Sequence, residues 1–218
     1  PPPDLGQLDA WIQAGYHASM AWLPKQRDKR LDPTLIMADA KSMLCVALIY
    51  NTDDPYSTEQ PNQPQISRYA RGDDYHDLMD KKLAALEQPL QQEFGPGLSS
   101  RHYCDTGPLS EKAWATAAGL GWIGKHSLVI NQAKGSWLIL AEILLSLELQ
   151  ADSPAPDLCG SCTRCLDACP TQAFPQPGVL DANKFLSYLN IEHRGPIPEE
   201  YQAAMGLNLY GCDICQDV

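Results

Sequence analysis

Apolar and polar positions in the first part of the chain alternate between helical and strand-like patterns. Apolar residues recur with helical spacing from Leu8 to Trp22, and the continuous apolar run from Met43 to Tyr50 is typical of a buried strand. From Asp73 to Phe94 the leucines share one side of a predicted amphipathic helix, in which Pro89 favours a kink or an end. These segments predict a helix, a strand and a longer helix in chain order.

Shorter elements follow. We expect a strand over Ser100–Cys104 and a helix over Leu109–Ala118 that is capped by Ser110. Two strands, Ser127–Asn131 and Ser136–Leu147, should follow and be joined by a hairpin turn at Lys134–Gly135. The longest apolar run, Trp137–Leu145, is interrupted by Glu142 and is too short for a membrane helix, which needs about 20 residues. No membrane association is therefore expected.

The alternation of strands and helices predicts an α/β or α+β first domain, residues 1–150, and the whole chain is assigned to the α+β class. A proline-rich linker, Gln150–Leu158, leads into a second domain, residues 151–218. A helix is expected there from Asp181 to Leu189. This domain is too small to be held by apolar packing alone, so we expect metal–thiolate bonds to supply the missing stability.

Composition narrows the function classes. The 218 residues include 16 Lys and Arg against 27 Asp and Glu, a formal net charge of -11. An acidic balance argues against a broad nucleic-acid surface, although it does not exclude a local basic site. The sequence opens with no signal peptide.

The eight cysteines carry the strongest chemical signal. Cys45 and Cys104 stand alone, whereas the other six form two groups, Cys159, Cys162, Cys165 and Cys169, then Cys212 and Cys215. The first group, followed by Pro170, has the ferredoxin spacing C-x2-C-x2-C-x3-C-P, which favours iron–sulfur clusters over zinc or disulfides. The second group starts a matching run that Val218 interrupts. Because the chain also starts at Pro1–Pro3, we expect it to be truncated at both ends.

Several stretches together resemble the epoxyqueuosine reductase family: RYARGDDYH at 68–76, YCDTGPLSEKAWA at 103–115, AGLGWIGKHSLVI at 118–130, CGSCTRCLDACPTQAF at 159–174 and YGCDICQ at 210–216. The resemblance implies a cobalamin-binding reductase domain followed by a ferredoxin-like domain with two 4Fe–4S clusters. It also implies reduction of epoxyqueuosine at the tRNA wobble position to queuosine, an external electron donor and a cytoplasmic location. We expect a monomer. Many members also carry a C-terminal helical-repeat domain, expected to contact tRNA and absent here, so the acidic charge does not argue against a tRNA substrate.

The resemblance also implies a set of site residues. Asp105 matches the family's catalytic aspartate and would protonate the epoxide oxygen. Without the family, a cap on the turn at 106–108 is the better interpretation of this residue. Cobalamin-binding positions are expected at Arg68, Tyr69, Asp105, Lys125, His126 and Ser127. The alternatives are a helix N-terminus after Arg68 and a tight glycine turn before Lys125.

One departure concerns the clusters. The six grouped cysteines are the expected iron ligands, but relatives carry a further cysteine where this chain has Phe185. The second cluster would then lack a ligand and could be altered or lost. Two other functions stay open: a cobalamin or flavin reductase of a small molecule, similar to reductive dehalogenases, and an electron-transfer ferredoxin module. The long first domain argues against the ferredoxin module.

Overall fold

The computed structural model describes residues 6–56, 59–60 and 62–218. Pro1–Pro3, part of the argument for truncation, lie outside the described residues. The fold mixes helices and strands, as the α+β assignment predicted. None of the helices in the described ranges is both long enough and apolar enough to cross a membrane.

The elements are numbered in chain order. The α-helices are α1 Leu8–Gln13, α2 Trp22–Lys25, α3 Arg27–Leu31, α4 Tyr75–Phe94, α5 Glu111–Ala117, α6 Arg164–Asp167, α7 Glu199–Met205 and α8 Ile214–Asp217. The strands are β1 Ser42–Ile49, β2 Gln65–Ile66, β3 Ser100–Tyr103, β4 Trp122–Ile123, β5 Val129–Ile130, β6 Leu138–Leu145 and β7 Asn208–Tyr210. Short 3-10 helices cover Pro33–Leu35, Arg68–Ala70 and Ala182–Lys184, and a π-helix covers Tyr188–Glu192.

An antiparallel sheet of order β1-β6-β3 forms the centre of the first part of the chain. Its middle strand β6 is covered on both faces, which explains its nearly continuous apolar sequence. Ile143 and Leu145 pack towards Met79 of α4, while Leu140 packs with Ala115 of α5. Strand β1, predicted to be buried, lies at the sheet edge and is buried only in part. Leu44, Val46 and Leu48 pack against the core and Cys45 is buried, whereas Ile49 at its end is exposed.

Helix α4 has nearly the predicted extent. The Asp74 carboxylate accepts a hydrogen bond from the His76 amide at 2.9 Å and so caps the helix, which is the alternative weighed for this segment. Pro89 lies inside the helix without ending it. The predicted leucine side is only partly correct, because Leu83 is buried whereas Leu78 is exposed.

Three predictions of secondary structure differ from the structure, two in helix extent and one in strand pairing. The helix expected over Leu8–Trp22 stops at Gln13 and is followed by Gly15 and Ala18 in left-handed conformations. The helix expected over 181–189 is replaced by a 3-10 helix and a π-helix, with Phe185 in an extended conformation between them. The turn before β6 forms, but β5 pairs with β4 rather than with β6.

The two ends of the chain pack together. The Trp11 indole donates to the Leu180 carbonyl at 2.6 Å, and Ser19 bonds the Tyr188 hydroxyl at 2.7 Å. Strand β2 also pairs in parallel with β7. The proposed boundary near residue 150 stays a prediction, and these contacts join the two predicted domains across it.

Candidate active site

A cavity of about 460 Å³ lies between the predicted domains. Its walls come from the loop after β3, the start of α5, the β5 and β6 region and the loop that carries Cys212 and Cys215. Leu138, Ile139 and Leu140 give it an apolar wall, and hydroxyl and carboxyl groups line other sides. Tertiary packing thus brings the predicted catalytic aspartate and two cluster cysteines to one cavity.

Asp105 is held at this cavity by its backbone and its side chain. Its backbone is left-handed, with φ 60°, and its N–H donates to Oε1 of Glu111 at 2.5 Å. The Tyr75 hydroxyl donates to Oδ2 of Asp105 at 2.9 Å. The turn amide of Thr106 bonds to the Cys104 carbonyl instead of the Asp105 carboxylate. Among the described bonds, the Asp105 side chain is therefore not a turn cap, and 64% of it is exposed.

Two aromatic side chains lie beside the Asp105 carboxylate. Tyr75 and His76 stack with centroids 4.0 Å apart, and Nε2 of His76 lies 3.5 Å from Oδ2 of Asp105. Burial, followed by the nearby Asp105 charge, raises the pKa of Tyr75 well above its ordinary value. Tyr75 therefore keeps its proton and donates it to the carboxylate as a hydrogen bond.

Further charged groups lie behind Asp105. Burial raises the pKa of Glu111, while hydrogen bonding by the Asp105 amide opposes that shift. Burial lowers the pKa of Lys112, which also lines the cavity, and lowers that of Arg30, whose Nη1 donates to the Leu109 carbonyl at 2.6 Å. The sequence analysis assigned no role to Glu111 or Lys112. Both lie within the motif that contains Asp105, but no spacing rule pointed to them.

The sequence analysis also assigned no role to Glu142. It lies in the middle of β6, 0% exposed, and within the described residues neither carboxylate oxygen has a hydrogen-bond partner. Burial and the neighbouring Glu111 raise its pKa far above the ordinary value. The available signal was the single charged residue inside an otherwise apolar strand.

The expected cobalamin-binding residues divide into two groups. Tyr69, His126 and Ser127 line the cavity together with Asp105. Burial, followed by the charge of Lys112, lowers the pKa of His126 to about 4, so its ring is neutral near pH 7. A Cβ at Gly124 would lie 2.8 Å from the His126 ring, so only glycine allows this close packing.

Arg68 and Lys125 lie outside the cavity lining. The Arg68 guanidinium lies 4.7 and 5.2 Å from the ring centroids of Tyr56 and Trp137, and donates to Thr52 at 2.9 Å. The Lys125 ammonium donates to the carbonyls of Gly160 and Cys162 at 2.8 and 2.7 Å. Arg68 therefore fixes a loop and Lys125 fixes the first cysteine loop.

Cys165 lies in α6 and Cys215 in α8, and the other grouped cysteines lie in the loops beside these short helices. Cys169, Cys212 and Cys215 line one small cavity, and Phe185 lines it too. The Trp122 indole donates to Cys159 Sγ at 3.3 Å, and the Ala173 amide donates to Cys169 Sγ at 3.3 Å. N–H donors aimed at sulfur favour thiolate ligands, and Phe185, where a further cysteine was expected, lies beside Cys169, Cys212 and Cys215.

The described part of the chain gathers no three His, Cys, Asp or Glu side chains around a single metal ion. The two solitary cysteines are both buried, in agreement with their predicted core positions. Burial raises the pKa of Cys45 and of Cys104 to about 12, which keeps both as neutral thiols.

Comparisons with known proteins agree with this arrangement. A family model described as "Epoxyqueuosine reductase QueG, DUF1730" matches residues 30–106, and one described as "4Fe-4S double cluster binding domain" matches residues 158–218. The epoxyqueuosine reductase of Synechocystis sp. is 47% identical over 216 residues, covering 97% of this chain and 72% of that protein. That of Gloeobacter violaceus is 46% identical, covering 96% of this chain and 65% of that protein.

Solved structures agree as well. A complex of epoxyqueuosine reductase with an epoxyqueuosine-modified tRNA-Tyr stem loop has a TM-score of 0.86 at 35% identity, covering 97% of this chain and 56% of that one. The Bacillus subtilis enzyme, with its catalytic aspartate loop swung out of the active site, also has a TM-score of 0.86 at 35% identity. This chain covers 56% of that structure, so it spans little more than half of the solved relatives.

Proposed function

The chain belongs to the epoxyqueuosine reductase family, and from this premise we propose that it reduces epoxyqueuosine in tRNA to queuosine. The observation that carries the proposal is Asp105, held by Tyr75 and Glu111 at a cavity that Cys212 and Cys215 also line. The similar structure bound to an epoxyqueuosine-modified stem loop supports tRNA as the substrate. An external electron donor, a monomeric state and a cytoplasmic location are parts of the same proposal.

The cysteine groups fit iron–sulfur clusters. Cys159, Cys162 and Cys165 would hold one cluster, and Cys169, Cys212 and Cys215 would hold the other. The fit rests on the N–H donors that point at two of the sulfurs and on the shared cavity of the second group. When bound, the clusters would supply electrons one at a time.

Phe185 lines the second cysteine cavity and cannot ligate iron. We expect Phe185→Cys to raise the iron content per chain after anaerobic reconstitution, because it adds a thiolate beside Cys169, Cys212 and Cys215. Phe185→Ser, which adds no thiolate, is the matched control. If the two variants bind equal amounts of iron, Phe185 does not occupy the position of a missing iron ligand.

We infer that cobalamin would bind with one face at the larger cavity. Its apolar wall at Leu138–Leu140 suits a flat macrocycle, and the hydroxyls of Tyr69, Ser127 and Ser136 suit the amides around a corrin ring. When bound, cobalamin supplies a strongly nucleophilic low-valent cobalt for opening the epoxide.

The protein supplies position and protons. Opening an epoxide in a partly enclosed site creates an alkoxide, and expelling that charge without a proton is costly. Asp105 would give its proton to this oxygen. The Tyr75 hydroxyl and the Glu111 anchor would hold the carboxyl group towards the cavity, so that little reorientation is needed.

Asp105→Asn tests the assignment because it removes the transferable proton and keeps the shape. We expect the variant to keep iron content and the corrin absorbance spectrum after cobalamin addition, and to lose at least about a hundredfold in turnover of epoxyqueuosine stem loop. Asp152→Asn, in the exposed linker, is the matched control. Full activity of Asp105→Asn would refute the acid role, and turnover of halogenated small molecules alone would favour the dehalogenase-like alternative.

A further inference from the structure

We propose that Ile66 and Tyr210 form a stacking surface for an unpaired base of the tRNA anticodon loop, next to the nucleoside that enters the cavity. The inference rests on the proposed function and adds to it a substrate contact outside the cavity. Ile66 of β2 and Tyr210 of β7 are partners in the strand register, so their side chains share one face of this two-stranded ribbon. Their exposed fractions are 43% and 41%, so together they present an apolar surface to solvent.

This stacking surface begins where the wall of the cavity ends. Ser67 directly follows Ile66 and lines the cavity, and so does Asp213, three residues after Tyr210. The Tyr69 ring, which also lines the cavity, has its centroid 6.3 Å from that of Tyr210. Tyr210 therefore lies one aromatic side chain beyond the cavity wall, at the rim.

The ribbon holds the stacking surface in one conformation. The Ser67 N–H donates to the Tyr210 carbonyl at 2.8 Å. The Asn190 side chain accepts from the Gly211 N–H and donates to the Gly211 carbonyl, both at 3.0 Å. A Cβ at Gly211 would overlap the Ser67 hydroxyl, so only glycine allows the two segments to pass this closely. An aromatic ring on a fixed backbone loses little conformational entropy when a partner stacks on it.

The chemistry of the substrate favours a nucleobase as the occupant. The wobble nucleoside is one link of an RNA strand, so when it occupies the cavity the nucleotides on either side of it must lie at the rim. Unpaired loop bases stack on aromatic side chains, which accept any base through its flat face. A base that leaves the cavity past Tyr69 therefore meets the ring of Tyr210.

A cation lies beside the same ribbon. Nε of Arg71 donates to the Ile66 carbonyl at 2.7 Å, and its Nη1 lies 3.9 Å from Asp54, beyond hydrogen-bond distance. Among the described bonds the Arg71 guanidinium therefore keeps donors that can meet a backbone phosphate. An aromatic surface next to a cation is typical of sites for single-stranded nucleic acid.

A protein partner fits this surface less well. Stable protein–protein interfaces bury about 1,200–2,000 Å² in total, far more than two side chains and an arginine provide. The exposed Leu209 does not extend the stacking surface, because successive side chains of a strand point to opposite faces. Self-association through Tyr210 is the outcome that would replace this proposal.

The first measurement is the affinity of the cluster- and cobalamin-loaded protein for a fluorescent anticodon stem loop, by anisotropy and without turnover. Tyr210→Ala should weaken binding by about 5- to 100-fold, the loss expected for one stacked base, whereas Tyr210→Phe keeps the ring and should stay within about twofold of the wild type. Leu209→Ala, on the other face of β7, is the matched control and should bind normally. Equal affinity of Tyr210→Ala and the wild type would overturn the proposal, and so would an equal loss in Leu209→Ala.

Ile66→Ala is the second variant, because Tyr210 lies two residues before Cys212 and its replacement could disturb iron binding. Ile66→Ala should keep the wild-type iron content and weaken stem-loop binding by a few-fold, since it removes only the aliphatic part of the surface. If Tyr210→Ala loses iron, this variant decides the question. Wild-type affinity of Ile66→Ala would then overturn the proposal.

A fluorescent base reports the stacking directly. The fluorescence of 2-aminopurine placed beside the wobble position should be quenched by the wild type and by Tyr210→Phe, and should recover in Tyr210→Ala. The same base at a paired position of the stem is the control and should not respond. Quenching that persists in Tyr210→Ala would mean that another group holds the base, and the proposal would be wrong.

These results are distinguishable from failure of the proposed function. Wild-type protein that neither binds nor converts the epoxyqueuosine stem loop would refute the proposed function, and the stacking surface with it. Normal conversion and binding by Tyr210→Ala would refute the stacking surface alone. Self-association in sedimentation that is lost in Tyr210→Ala, with stem-loop binding unchanged, would assign the surface to a second copy of the chain instead.

Discussion

The Asp105 cavity and the cysteine loops are built in opposite ways. The cysteine loops contain little regular structure, and their ligands are close in sequence, from Cys159 to Cys169 and from Cys212 to Cys215. The cavity combines residues from distant parts of the chain, such as Tyr75, Asp105 and Glu111, on a sheet with a packed apolar core. Most of the cysteine ligands are therefore specified by local spacing, with Cys169 joined to Cys212 and Cys215 by packing, whereas the Asp105 cavity depends on the sheet. The predictions below separate these two sources of order.

Iron removal should cause the largest loss of structure, and we expect this loss to be confined to the segment 158–218. Without metal–thiolate bonds the segment 158–218 is held by one small apolar cluster around Leu186, Leu189 and Met205, so we expect it to lose most of its amide protection. The β1-β6-β3 sheet should keep its protection. Hydrogen exchange by mass spectrometry, before and after anaerobic chelation, checks this. Equal loss in both regions would mean that the cavity also depends on the clusters.

Ile143→Ala is the converse experiment. Ile143 is 0% exposed in the core between β6 and α4, so the truncation should lower the free energy of unfolding by about 2–5 kcal/mol. Iron content after reconstitution should stay at the wild-type level. Denaturant unfolding and iron analysis measure the two quantities. Ile49→Ala, at the exposed sheet edge, is the control and should cost far less.

The pH dependence of stability should reveal Glu142. Its pKa is raised in the folded protein, so the folded state holds a proton that the unfolded state releases above pH 4.5, the ordinary value. Its contribution is fully present below that pH and is lost as pH rises towards the raised value, by at most about 1.4 kcal/mol per pH unit. Glu142→Leu should be less sensitive to pH across this window in urea unfolding. Parallel stability curves would contradict the raised pKa.

The smallest expected effect is on the rate of iron release, after substitution of Lys125. Its ammonium bonds two carbonyls of the first cysteine loop and does not line the cavity. Lys125→Met should therefore speed iron release to a chelator by a few-fold and leave cobalamin uptake unchanged, since charged hydrogen bonds contribute about 1.5–3 kcal/mol and exposure reduces this. Reduced cobalamin uptake with normal iron release would instead support the predicted cobalamin-binding role of Lys125.

Local signals made the elements with strong patterns predictable. Strand β6 and helix α4 follow from an apolar run and from a capped amphipathic pattern, and the cysteine spacing indicated clusters without any tertiary information. The helix expected over 181–189 was wrong, because periodicity cannot register the extended conformation at Phe185, which packs against the second cysteine cavity. The predicted burial of β1 was correct only in part, because the position of a strand in its sheet is not encoded within that strand.

The sequence by itself determined the mixed fold class, the two cysteine groups and, through the family's motifs, the place of Asp105. Only the tertiary structure decided that Tyr75 and Glu111 hold Asp105, that Lys125 faces the cysteine loop, and that Glu142 is fully buried. The physical reason is the distance along the sequence over which each interaction acts. Ligand spacing and helix caps act within a few residues, whereas burial and hydrogen-bond partners depend on which distant segments pack together.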